Sequence, residues 1–128
     1  MGEAFGRKAN ISLQRQTEKT AAYTVVIVTD SGKTFSSLTD GQVFTLPSIA
    51  AGEVYHFKNV AEDGEAELSI SPAAADGIMY AGSATDDKDL INTKATSKKG
   101  DYITLKSSEA GTVAWQVADA VGKWAKEA

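Results

Sequence analysis

The stretch Val43-Phe-Thr-Leu-Pro-Ser-Ile-Ala-Ala-Gly-Glu-Val-Tyr-His-Phe-Lys-Asn59 decides the fold class of this chain. Phe44 and Leu46 fall on one side of an extended segment, and Tyr55 and Phe57 on one side of the next. Pro47 cannot donate to a sheet ladder, so it marks the end of the first strand. Gly52 supplies the flexible turn position before the second. The pattern buries one face of each strand and leaves the polar residues outside. Little in the stretch is suited to chemistry.

Working outward, the β signal continues in both directions. Tyr23-Thr-Val-Val-Ile-Val-Thr29 is dense in β-branched residues and runs into the turn Asp30-Ser-Gly32. Lys33-Thr-Phe35 begins a further strand, closed by Thr39-Asp-Gly41. After Glu62-Asp-Gly-Glu65 the chain enters Ala66–Ser71, where Leu68 and Ile70 share a face. Pro72–Gly77 reads as a loop or short helical turn, followed by Ile78-Met-Tyr80. Leu90–Thr93, Tyr102–Lys106 and Thr112–Ala118 complete the strands, and Val121–Trp124 closes the fold. Trp124–Ala128 has the makings of one helical turn. No helix-periodic window of ordinary length is present.

Short strands punctuated by turns predict an all-β protein, a compact antiparallel sandwich or barrel of about seven to ten strands. The absence of a fixed-period repeat argues against a solenoid or propeller. Residues 1–20 read as an extended N-terminal arm and 21–128 as a single β domain. Arg7, Lys8, Arg15 and Lys19 give the arm a basic character against Glu3 and Glu18, and Ile11-Ser-Leu13 alternates like a strand.

With 128 residues the chain is long enough to bury its own core. Hydrophobic residues make up 42% and charged residues 23%, as in an ordinary globular protein. The net charge of −4 speaks against a broad nucleic-acid surface and against electrostatic docking on anionic lipid. Cysteine is absent, which excludes disulfides, thiolate metal sites and a cysteine nucleophile. No apolar run reaches the roughly 18 residues of a membrane span. The N-terminus has no apolar core of the secretory type, so synthesis and use in a cytoplasm, or in a particle assembled there, is the expectation.

The candidate chemical groups are few. His56 is the single histidine, so a histidine pair for metal is impossible, and no Gly-x-Ser-x-Gly elbow accompanies it. It alternates away from Tyr55 and Phe57 and is expected to face solvent or a neighbouring subunit. Asp86, Asp87 and Asp89 lack EF-hand spacing and enclose Lys88, which favours a solvated loop over a calcium site. Glu62, Asp63, Glu65 and Glu67 surround Gly64 as a second water-facing turn. Trp115, Trp124, Tyr102, Phe44 and Phe57 suit core packing better than a sugar-binding surface. No catalytic residue, cofactor site or metal site is predicted, and an enzyme is not expected.

The order of segments resembles a small β-rich module of tailed-phage head-decoration and tail-fibre proteins. The resemblance is carried by Tyr23-Thr-Val and Thr29-Asp-Ser-Gly-Lys-Thr-Phe35, by Phe44-Thr-Leu-Pro47, by Ala50-Ala-Gly52 and by Tyr55-His-Phe57. It continues through Leu68-Ser-Ile-Ser-Pro72, Asp76-Gly-Ile78, Lys99-Gly-Asp-Tyr-Ile-Thr-Leu105, Trp115 and Gly122-Lys-Trp124, and so covers residues 21–126. Each unit is generic and only their order is distinctive. The resemblance implies a virion structural protein. Because the module fills the chain behind a short arm, it favours a capsid decoration (cement) protein that binds the outer head surface and bridges capsid subunits. The implied partners are the major capsid protein and further copies of the chain, as a homotrimer, with no nucleic acid or membrane. The implied location is the capsid exterior, after assembly in the host cytoplasm. The arm residues Phe5, Arg7, Lys8, Ile11, Leu13 and Arg15 are the expected interface. The alternative is a tail-fibre or spike module binding a host receptor or glycan, with Tyr80 or Trp124 exposed on a loop.

Overall fold

The computed structural model describes residues 16–107 and 114–128. Two mixed β-sheets face each other across an apolar core, so of the all-β sandwich or barrel expected from the sequence, the sandwich is observed. Sheet A has the order β1-β3-β5-β9-β10-β7 and sheet B the order β11-β8-β6-β4-β2. The strands are β1 (Gln16–Glu18), β2 (Tyr23–Thr24), β3 (Thr34–Ser37), β4 (Gln42–Thr45), β5 (Val54–Asn59), β6 (Leu68–Ser71), β7 (Ile78–Met79), β8 (Leu90–Asn92), β9 (Tyr102–Lys106), β10 (Trp115–Val121) and β11 (Ala125–Lys126).

The first six strands alternate between the sheets and pair in parallel within each one. Gln16, Thr34 and His56 stand side by side in sheet A, and Tyr23, Phe44 and Ile70 in sheet B. The chain therefore winds as a flattened coil of three turns. The turns differ in length, so no fixed period is written into the sequence, and the second and third turns give buried apolar side chains to both sheets, Phe35 and Phe57 to sheet A and Phe44, Leu68 and Ile70 to sheet B. The later strands β8 and β9 add antiparallel to the last turn, so the sheets are mixed rather than wholly antiparallel. Strand β1 lies inside the span 1–20 expected to be an arm.

The Val43–Asn59 stretch supplies one strand to each sheet. Phe44 of β4 and Phe57 of β5 are both fully buried, with ring centroids 5.2 Å apart. Phe35 stacks on Phe57 at 5.8 Å, and Tyr23 reaches Phe35 at 5.3 Å. Tyr55 and Trp115 form a second aromatic pair at 5.5 Å. Each buried side chain of this size contributes about 1.5–3 kcal/mol by leaving water. Leu68, Ile70 and Leu90 from sheet B meet Ile103 and Leu105 from sheet A in the same core.

A buried polar network ties the sheets together at one end. Asn59 donates from Nδ2 to Asn92 Oδ1 at 2.8 Å, and Asn92 Nδ2 donates to Asp101 Oδ2 at 3.1 Å and to the Lys123 carbonyl. All three side chains are buried. The C-terminal residues form β11 rather than a helical turn, pairing with β8. Lys126 Nζ donates to the Ile78 carbonyl at 2.7 Å, which links the two sheets at the end away from β1 and β2.

Candidate functional site

The run Val25-Val-Ile-Val28 reads as a strand but is irregular, entering a turn at Ile27. β2 stops at Thr24, and only Val25 enters the core. A continuous β-branched run suits a strand buried on both faces, and a two-layer sandwich offers no such place. Instead Val26, Ile27 and Val28 project into solvent, and Val28 is 75% exposed. They are the one contiguous run of exposed large hydrophobic side chains among the described residues.

Two buried carboxylates hold this loop. Asp30, 1% exposed, accepts from the Val26 N–H at 2.8 Å, the Tyr23 hydroxyl at 2.7 Å and the Lys33 ammonium at 2.9 Å. Burial by itself raises the Asp30 pKa, but these three donors outweigh it and hold the carboxyl below its ordinary value. The Asp30 acceptor in turn raises the Tyr23 pKa, the hydrogen bond being the main cause.

Glu53, which precedes β5, is the second anchor. Its Oε1 accepts from the Val28 N–H at 3.0 Å and from the Tyr55 hydroxyl at 2.5 Å. Burial, and then this carboxylate, push the Tyr55 hydroxyl far above the ordinary phenol range, so it remains a donor. Val28 takes a φ of +66°. A β-branched residue in the left-handed region is strained, at a cost on the order of 1–3 kcal/mol.

A groove of about 360 Å³ lies on the outer face of sheet A, with Gln16 and Gly32 among its lining residues. The expected interface residues Phe5, Arg7, Lys8, Ile11, Leu13 and Arg15 lie outside the described residues. Lys19, from the same basic segment, sits 3.8 Å over the Tyr23 ring, adjacent to the Asp30 anchor. His56 is on the outer face of sheet A as its alternation suggested, in the groove, with Nδ1 2.8 Å from Thr104 Oγ1.

The other candidates are distributed elsewhere. Asp86 is bridged to Gly77 and the Asp87 N–H bonds the Asp76 carbonyl, while the Asp89 N–H bonds the Glu127 carboxylate beside β11, so the three are spread over local backbone contacts. Glu62 and Asp63 meet Lys99 and Lys98 on the surface. Phe44, Phe57 and Trp115 are core residues, as their spacing indicated, and Tyr102 stands at the surface with its hydroxyl on Asp119. Trp124 is buried and donates to the Val121 carbonyl, so it cannot serve as an exposed glycan platform. Among the described residues no three histidine, aspartate or glutamate side chains converge to hold a metal ion, and no helix is long and apolar enough to cross a membrane.

The sequence reading missed the anchored loop. Its signal was the lack of alternation in Val25–Val28, followed by an Asp two residues before Gly32. No family model matches the chain, and no curated protein or solved structure is detectably similar to it.

Proposed function

We propose that this chain is a structural docking protein of a virion, a capsid decoration protein that seats on the outer head surface and bridges capsid subunits. The observation that carries the docking role is the Val26–Val28 tip, apolar, exposed and held in a strained conformation by Asp30 and Glu53. Pre-ordering the tip reduces the entropy lost on binding. The placement on a phage head rests on the ordered segments of residues 21–126 described above. A protein that binds only the assembled lattice stabilises that state by mass action, against the outward push of packaged DNA. The coil with its aromatic core supplies a stiff body for such a bridge. The basic residues Arg7, Lys8 and Arg15, which precede β1 in sequence, are a second contact in this reading. A major capsid protein and further copies of the chain, as a trimer, are the partners in this reading.

Cryo-electron microscopy of the particle whose genome encodes this chain is the test. Repeated density over the head, with the 26–28 loop against a capsid subunit, is expected. Ile27→Asp in the full chain lowers occupancy without changing the melting temperature. Density confined to the tail tip would replace the reading with a tail-fibre adhesion module, and unchanged occupancy of Ile27→Asp would remove the loop from the contact.

A further inference from the structure

The strand register builds a polar row across the outer face of sheet A. Gln16, Thr34, His56 and Thr104 are lateral neighbours on β1, β3, β5 and β9. One step along, Lys58 pairs with Tyr102. All six line the groove of about 360 Å³, a size within the range of about 300–1,000 Å³ for small-ligand sites. The geometry points to a saccharide-binding site here, in which Gln16, Thr34, His56 and Thr104 hydrogen-bond the hydroxyl groups of a short sugar whose apolar face lies near Tyr102.

The chemistry of the lining selects this class. Neighbouring strands lie about 4.8 Å apart, so the row brings polar groups from four strands to one face, with His56 and Thr104 joined to each other and Thr34 and Gln16 on the adjoining strands. The amide of Gln16 and the hydroxyls of Thr34 and Thr104 both donate and accept, as a polyol requires. His56 has Nδ1 engaged with Thr104, which leaves Nε2 as the ring nitrogen for a ligand. Burial lowers the His56 pKa, so the ring is neutral near pH 7. Among the described residues no carboxylate lines the groove, which disfavours a hard cation, and Lys58 is the one ammonium there, too little charge for a polyphosphate. The Tyr102 hydroxyl is tied to Asp119 at 2.8 Å, which fixes the ring at the groove wall. The apolar tip at 26–28 has none of these groups, so the two surfaces are chemically separate.

Saturation-transfer NMR on the full chain tests the site, with N-acetylglucosamine, galactose, rhamnose and glucuronate as probes. Transfer to at least one sugar is expected, with binding about tenfold weaker in Thr104→Val and in Tyr102→Ala. Thr34→Val is the substitute if either variant melts early. Absence of transfer to all four probes overturns the proposal, and so does transfer that these variants leave unchanged. Displacement of the sugar by inorganic phosphate alone would make the groove an anion site and overturn it equally. None of these outcomes depends on attachment to a capsid.

Discussion

The Val28 backbone N–H donates to Glu53 Oε1 at 3.0 Å, so a carboxylate buried beside β5 fixes the tip of a loop that follows β2. The same oxygen accepts from Tyr55, whose ring packs on Trp115 in the core. The solvent-facing tip is thereby coupled directly to the centre of the sandwich. Replacing Glu53 with Leu strands two donors, one of them buried. The expected loss is about 1–3 kcal/mol in urea denaturation, together with faster amide exchange at Val28. Equal stability of the two proteins would mean that Glu53 does not hold the loop.

Val28→Gly relieves the positive φ while adding the flexibility of glycine to the unfolded chain. Strain of about 1–3 kcal/mol exceeds the glycine entropy term of about 0.5–1 kcal/mol. The variant is expected to melt higher than the wild type, a direction opposite to most substitutions. A lower melting temperature by calorimetry would show that the conformation at Val28 is not strained.

Asp30 gives the loop a pH dependence. Its pKa in the fold lies below the unfolded value of 3.8. A depressed carboxyl contributes stability that is present above the unfolded pKa and is lost as pH falls through the folded one. The wild type should therefore exceed Asp30→Asn in stability by about 1–2 kcal/mol at neutral pH. That gap should close below pH 3.8. A gap that stays constant into acid would contradict the assignment of Asp30 as the charged anchor.

His56 titrates in the opposite chemical sense with the same stability slope. Burial lowers its pKa below the ordinary 6.5, so the unfolded chain takes up a proton first. Its contribution is full above pH 6.5 and declines as pH falls from there to the folded pKa. As the single histidine it gives one imidazole resonance, and NMR should find its midpoint below 6.5. A midpoint at or above that value would place the ring in open solvent.

Gly122 and Gly52 both take positive φ, +100° and +81°. A Cβ at Gly52 meets nothing within 4 Å, whereas one at Gly122 runs into the Asp101 carboxyl of the buried Asn59–Asn92–Asp101 network. Gly52→Ala therefore costs only the left-handed strain of about 1–2 kcal/mol. Gly122→Ala should cost at least about 1 kcal/mol more, because the carboxyl must move from its partners. Guanidinium denaturation of the pair checks the difference.

Alternation made most of the fold legible. Phe44 with Leu46, Tyr55 with Phe57, Leu68 with Ile70 and Ile103 with Leu105 each marked one buried face, and all eight are in the core. Burial of one face and solvation of the other is a local property of a strand, so a single sequence carries it. The boundaries of β9 were likewise readable at Tyr102–Lys106, because Gly100 and Asp101 set the turn before it.

Pairing was not local. Whether β4 and β5 form a hairpin or face each other from opposite sheets depends on which partners lie beside them. Phe44 beside Ile70 and Phe57 beside Ile103 are neighbours that only long-range register provides. The same holds for the candidate surfaces. Val25–Val28 carries strong strand propensity, and it was the buried acceptors Asp30 and Glu53, one of them distant in sequence, that turned its backbone outward. The row Gln16–Thr34–His56–Thr104 exists only because four separated strands align. Sequence alone determined which faces would be apolar, since hydrophobicity and strand period are carried by adjacent residues. Tertiary structure decided which residues meet, since pairing and buried hydrogen bonds are settled by the whole chain at once.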